Sequence, residues 1–291
     1  MQHFTEKENS MDFDVAYYEY YDCEVYDHIS YISESGKEEE CVYYLYIPKE
    51  ADIDDTTPVV EYITHGGGVA EEERANALHW AAGQDTEAIF VIPYTDRADA
   101  ACASLEDARV RLDGKGNFDA VSGHGTSSGG RAIIRAALKS TDKDAGYGFR
   151  FANVVAYDPA EESETANITG QTEAMHMLAQ QGTVLFIQTD TGRYGGSGAY
   201  CNRYAQEFSE LGGTAVVAEM DSASHEAKFT KLMTHNSINW AIGRGPLLED
   251  DTYENVWYCY EDGVKEETTL AEATALLQNG NPERSNKQGA A

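Results

Sequence analysis

Positive charge is the first thing this chain has little of. Lys and Arg number 21 against 51 Asp and Glu, leaving a formal net charge of −30 over 291 residues. A surface of that sign repels phosphodiester backbones and anionic headgroups, so neither nucleic acid nor a membrane surface is expected as a partner. Long apolar runs are missing too. No window of about 18 residues is apolar enough to cross a bilayer. Residues 1–14 (MQHFTEKENSMDFD) carry no apolar leader core. The expected compartment is therefore the cytoplasm by default, or the exterior if a leader has been removed.

Cysteine is sparse and scattered. The five positions, Cys23, Cys41, Cys102, Cys201 and Cys259, are odd in number and form no CxxC pair. They read as structural thiols, with one or two disulfides as the alternative in a secreted chain. No metal-ligand spacing is present, and neither a metal nor an organic cofactor is implied. The acidic runs Asp54-Asp55 and Glu249-Asp250-Asp251 read as solvated faces. The glycine-rich stretch 123–130 has no lysine where a phosphate-binding Walker loop needs one, and Arg131 does not replace it.

What is present suffices for one sizeable core with a small appendage, since 42% of the residues are hydrophobic. The expected organisation is a polar tail over 1–16, a main domain over 17–246, a strand-helix appendage packed on it over 247–279, and a polar tail over 280–291. The appendage is aromatic (Val256, Trp257, Tyr258, Tyr260), which leaves a homo-oligomer contact as its other reading. Two Tyr- and Val-rich strands, 23–31 and 40–47, suit a half-exposed antiparallel edge. From residue 58 to 242 strands and helices then alternate. Strands are expected at 58–64, 88–93, 118–121, 149–157, 183–189 and 215–220. Helices are expected at 71–82, within 96–112, from 130, and at 172–181, 199–211 and 226–242. Several of these strands are continuous apolar runs, as required when both faces are covered, so a mostly parallel α/β sheet with helices on both faces follows.

The chemistry concentrates around residues 117–137 (NFDAVSGHGTSSGGRAIIRAA). A strand turns sharply through glycines into a helix, and the turn holds Gly125-Thr126-Ser127-Ser128-Gly129, a Gly-x-Ser-x-Gly. A serine on such a strained elbow presents its hydroxyl at the top of the sheet, and its neighbours two residues away on either side must be small. The helix that follows points its N-terminus at the serine and favours negative charge there. Taken alone the motif is also that of an ordinary tight turn.

Company lifts it above that reading. In open α/β sheets ligands bind at the carboxyl ends of the strands. Four groups fall at such ends: His65-Gly66-Gly67-Gly68, Ser127, Asp190 or Asp158, and His225. Glycines let backbone N–H groups approach an oxyanion, so the amides of Gly67, Gly68 and Ser128 form a candidate hole. Of the eight histidines, His225 lies on a small polar loop after the last core strand, where a general base belongs. His3 is in the tail, His28 on an edge strand, and His79, His176 and His235 within helices. His65 and His124 belong to the glycine loops, His124 as a brace below the elbow. Asp190, 35 residues before His225, is preferred as the acid that orients the imidazole, because its loop precedes the histidine strand. Asp158 remains the alternative. Tyr94 and Arg97, past another strand end, and Tyr194 in a glycine-rich loop are candidate substrate-lining residues.

The order glycine loop, serine elbow, acid and histidine resembles the α/β-hydrolase superfamily, above all its carboxylesterase and lipase branches, over residues 40–245. The resemblance implies an eight-stranded, mostly parallel sheet and acyl transfer through a covalent acyl-enzyme. It makes Ser127 the nucleophile, His225 the base, Asp190 the acid, and Gly67, Gly68 and Ser128 the oxyanion donors. The segment 157–160 (YDPA) looks like the one that carries the acid in pancreatic-type lipases, which keeps Asp158 open. The connection 158–182 has room for little beyond one crossover helix, so no large lid is expected. That favours small esters, or esters attached to a polymer. A peptidase or amidase with the same triad and a catalytically silent binding protein are the rival readings.

Overall fold

In the computed structural model the described residues are 21–49, 51–63, 87–160, 171–190, 197–220, 237–245 and 255–280. Ten strands form one sheet: β1 (Tyr21–Ile32), β2 (Glu38–Pro48), β3 (Val59–Ile63), β4 (Ile89–Pro93), β5 (Val121–Thr126), β6 (Phe151–Tyr157), β7 (Val184–Asp190), β8 (Thr214–Met220), β9 (Asn255–Glu261) and β10 (Val264–Thr268). Their spatial order is β1-β2-β4-β3-β5-β6-β7-β8-β9-β10. The stretch from β4 to β8 is parallel throughout, and the two ends are antiparallel.

Burial explains this division. VVEYI, IFVIP, VSGHGT and FANVVAY are buried at every position, as central strands covered on both faces must be. On one face pack α1 (Ala98–Leu112), α2 (Ser128–Ser140), α3 (Thr172–Gln180) and α4 (Ser197–Glu210), which share one large apolar cluster with the sheet. The helical residues 237–241 and α5 (Leu270–Gly280) cover the other face through Ile238, Trp240, Ala273 and Leu277. In α2 the apolar positions Ala132, Ile133, Ile134, Ala136, Ala137 and Leu138 are all buried, as their helical spacing predicts.

The expected strand count needs correction: the sheet has ten strands, not eight. The additional pair is the C-terminal hairpin. β9 pairs antiparallel with β8 and continues the sheet, and β10 folds back on β9. Asp262 and Gly263 make the tight turn between them, both at positive φ (48° and 80°), which matches the right-handed twist of the flanking strands. β10 escapes a hydrophobicity reading because Val264, Lys265, Glu266 and Glu267 are all exposed. It is a strand by pairing alone, and its charged edge discourages further pairing. At the opposite edge β1 carries a bulge: Asp27 and His28 oppose the single residue Val42, with His28 at φ 55°.

Candidate active site

Ser127 stands between the end of β5 and the start of α2, at φ 52° and ψ −120°. A non-glycine residue there carries about 1–3 kcal/mol of strain, which persists only where its surroundings fix it. Here the surroundings are visible. The Ser127 N–H donates to the carbonyl of Tyr157 at 2.9 Å. The Ser127 carbonyl accepts from the N–H groups of Arg131 at 3.1 Å and Ala160 at 2.8 Å. The exit of β6, residues 157–160, thus clamps the elbow from the side. The turn is also tight enough to dictate its own sequence: a Cβ on Gly125 would lie 2.2 Å from the carbonyl oxygen of Gly129. Ser127 and Ser128 are half-buried, and Ser128 is the first residue of α2, where the helix dipole favours developing negative charge.

Sheet register places the other candidates. Ile63, Gly125, Ala156, Ile187 and Val217 form one row across β3, β5, β6, β7 and β8. Ser127 and Asp158 both lie two residues beyond that row, just past the ends of the adjacent strands β5 and β6. Asp158 is 1% exposed, sits at φ 39°, and donates its N–H to the Gln188 carbonyl at 2.6 Å. Asp190 lies three residues beyond the row and pairs with Met220, the last residue of β8. The strand bearing Asp190 therefore borders the strand that leads to His225, whereas β6, which Asp158 follows, does not. β3, which leads to His65, borders β5. Gly67, Gly68, Tyr194 and His225 themselves lie outside the described residues, as does the expected helix 71–82.

Tyr94 follows β4 and is exposed, its N–H held by the Val42 carbonyl at 2.8 Å. Arg97 is committed to the outer hairpin: its guanidinium pairs with Glu39 and lies 5.8 Å from the Tyr31 ring centroid. A cavity of about 850 Å³ is lined by Arg135, Leu138, Lys139 and Thr141 at the far end of α2 from Ser127, together with Gln171 and Thr172. None of the five cysteines forms a disulfide. No cluster of three His, Cys, Asp or Glu side chains suited to a metal occurs among the described residues.

Sequence reading missed a buried polar chain behind the elbow. Ser122 donates its hydroxyl to Asn153 Oδ1 at 2.6 Å, and His124 Nε2 meets the same hydroxyl oxygen at 2.7 Å. The Ser122 proton is spent on Asn153, so His124 Nε2–H is the donor in the second contact and Nδ1 carries the lone pair. Asn153 Nδ2 in turn donates to the Ala241 carbonyl at 3.3 Å. Burial holds His124 neutral by pushing its pKa down to about 3. A second link joins the hydroxyls of Tyr157 and Ser237. Glu61 on β3 is wholly buried with both carboxyl oxygens unpartnered, and burial drives its pKa well above the usual carboxylate range. The signal for these groups lay in the sequence: Glu61, Ser122, His124 and Asn153 each interrupt a strand that is otherwise apolar and covered on both faces.

Comparison with known proteins bears on the fold. No protein-family model and no curated protein matches the chain. Solved structures do. Carboxyl esterase 2 from the mycorrhizal fungus Tuber melanosporum superposes with a TM-score of 0.52 at 13% identity, covering 81% of this chain and 89% of its own. Esterase Est22 gives 0.51 at 12% identity over 76% and 80%. Brefeldin A esterase, a bacterial homologue of human hormone-sensitive lipase, gives 0.51 at 13% identity over 83% and 80%. At this level of identity the likeness is one of architecture. The chain has the α/β-hydrolase fold, with a mostly parallel sheet and helices on both faces, in the form seen in these esterases.

Proposed function

We propose that this protein is a serine hydrolase of carboxylic esters. The observation that carries the reading is the strained Ser127, held at the strand-to-helix elbow by residues 157–160. In this mechanism the Ser127 hydroxyl attacks the ester carbonyl while His225 takes its proton. The amides of Gly67, Gly68 and Ser128 receive the oxyanion of the tetrahedral intermediate. Collapse expels the alcohol, which takes its proton from the His225 imidazolium, and leaves an acyl-Ser127. A water deprotonated by His225 then attacks the acyl carbonyl, releasing the carboxylic acid and the free serine.

Asp190 is the acid of this reading, because β7 lies between β6 and β8 and so stands next to the strand that continues to His225. Asp158 is closer in the sheet to Ser127 than to that strand, a position suited to bracing the elbow. The crossover from β6 to β7 contains α3 and is short in sequence, which favours small esters or ester groups borne on a polymer. Tyr94, Arg97 and Tyr194 are the residues proposed to line the approach, with Arg97 restrained by Glu39.

The test is a panel of p-nitrophenyl esters of graded acyl length beside matched anilides. Short esters should turn over with an acyl-enzyme burst that Ser127→Ala abolishes. Asp190→Asn should lower kcat far more than Asp158→Asn. Full ester turnover by Ser127→Ala contradicts the nucleophile, and preference for the anilides contradicts the substrate class.

A further inference from the structure

β6 carries one residue more than β5 needs. Val121 pairs with Phe151, but the next residue of β5, Ser122, pairs with Asn153, so Ala152 is an extra residue, a bulge between two parallel strands. Its effect shows in the faces of β6. Without it Phe151, Asn153, Val155 and Tyr157 would share one side, because side chains alternate along a strand. Instead Phe151 packs with Val154 and Ala156 in the apolar cluster that α1 and α2 cover, while Val155 and Tyr157 pack in the cluster on the opposite face. Asn153 is on that opposite face too, where its Nδ2 donates to the Ala241 carbonyl at 3.3 Å.

The offset made here runs on to the elbow. From Ser122 and Asn153 the pairing continues without a break through Gly123 and Val154, His124 and Val155, Gly125 and Ala156, and Thr126 and Tyr157. Ser127 comes next. Its N–H donates to the Tyr157 carbonyl at 2.9 Å, and its carbonyl accepts from the Ala160 N–H at 2.8 Å. A slip of one residue would remove both partners and send Tyr157 to the wrong face. Apolar packing resists that slip weakly, because a shift in the middle of β6 exchanges Val155 for Val154. A directed bond sits at the bulge instead. Ser122 donates its hydroxyl to Asn153 Oδ1 at 2.6 Å, between the first two residues paired after the extra one, and both are buried. On the other side of Ala152 the Arg150 carbonyl accepts the Val121 N–H at 2.9 Å, and the Phe151 carbonyl accepts the Thr183 hydroxyl at 2.7 Å. The extra residue is therefore pinned before and after.

We propose that Asn153 is a positioning residue, whose side-chain bond to Ser122 locks the bulge at Ala152 and so sets the register in which the exit of β6 holds Ser127. The inference rests on the serine-hydrolase reading above, with Ser127 as nucleophile. A nucleophile displaced by about an ångström loses about a hundredfold in rate, so a buried amide below the elbow can control turnover without touching substrate.

The test is Asn153→Leu and Ser122→Ala, each made in the full chain and in a chain lacking Ala152, beside Ser127→Ala. Ester turnover, the urea midpoint and hydrogen exchange of the Ser127 amide are measured for each. Removing Ala152 leaves β6 a regular strand that reaches Tyr157 in the same register, so no bond is then needed to hold the offset. In the full chain each substitution should lower kcat about tenfold to a hundredfold with KM changed by less than about twofold. The Ser127 amide should exchange at least about tenfold faster, because its bond to Tyr157 is loosened. In the chain lacking Ala152 the same substitutions should cost less than about twofold in kcat, a rescue that a mere loss of stability would not show. Where the shortened chain does not fold, exchange in the full-length variants decides by itself. If Asn153→Leu and Ser122→Ala keep kcat within about twofold, or leave the Ser127 amide at its parent rate, the bond sets no register and the proposal is wrong. Ser127→Ala separates the two failures. Full turnover by that variant overturns the nucleophile and this role with it, whereas its inactivity beside an unimpaired Asn153→Leu overturns the register lock alone.

Discussion

Replacing Glu61 should stabilise this protein, and by more as the pH rises. Glu61 lies mid-strand in β3 between Val91 of β4 and Gly123 of β5, on the face covered by α1 and α2. It is 0% exposed and neither carboxyl oxygen has a partner. A buried, unpaired polar group costs about 1–3 kcal/mol by protein substitution data, so Glu61→Met, which keeps the length and removes both oxygens, should gain about that much near pH 4.5. The charge adds a pH dependence. Burial raises the folded-state pKa well above the ordinary value of 4.5. Above that value the unfolded chain releases the proton and the folded chain keeps it, so the unfolded state binds fewer protons and stability falls as pH rises. The slope is about 1.4 kcal/mol per pH unit, continuing until the folded carboxyl itself ionises. Glu61→Gln should erase this slope while keeping an unpaired amide, whereas Glu61→Met should erase the slope and the unpaired group together. Urea unfolding of the three proteins from pH 4.5 to 8, with equal m-values, reads both effects. If Glu61→Met is less stable than the parent across that range, or the difference does not grow with pH, the carboxyl is satisfied and the reasoning fails.

Three further outcomes follow from the same geometry. His124 has the opposite linkage. Its folded pKa is lowered to about 3, so stability is complete above the ordinary value of 6.5 and is lost as pH falls below it, a slope that His124→Gln should remove. A Cβ at Gly125 would lie 2.2 Å from the Gly129 carbonyl oxygen, so Gly125→Ala should distort the elbow and lower ester turnover by at least about a hundredfold in a chain that remains folded by circular dichroism. Trp257 is 4% exposed and stacks on Phe186 with ring centroids 5.8 Å apart, so Trp257→Ala should cost about 3–5 kcal/mol in urea unfolding if the C-terminal hairpin is an integral part of the sheet. A loss below about 1 kcal/mol would mean that the hairpin is peripheral.

The sequence was most informative where a single physical requirement dominates. Continuous apolar runs such as IFVIP and FANVVAY have few places to go except a strand covered on both faces, and they became β4 and β6. Gly125-Thr126-Ser127-Ser128-Gly129 reads as an elbow because only small residues let the chain double back so tightly, and Ser127 does occupy a left-handed conformation there. β10 was illegible for the opposite reason: VKEET buries nothing, and only the partner β9 makes it a strand. The aromatic segment around Trp257 read as an appendage because its polar surroundings mark a boundary, and nothing local states that it pairs with β8. The polar groups at Glu61, Ser122, Asn153 and Tyr157 could be seen as interruptions of apolar strands. Which partner each would find depends on residues up to 88 positions away, as with Asn153 and Ala241. Pairing of that range is a property of the fold, not of any window of sequence.

The central claim is that Ser127 is an activated nucleophile. Treating the purified protein and its Ser127→Ala variant with a fluorophosphonate and reading intact mass tests it directly. The account predicts one phosphonyl adduct on the parent, located at Ser127, and none on the variant. No adduct on either protein, or an adduct that survives in the variant, would contradict it.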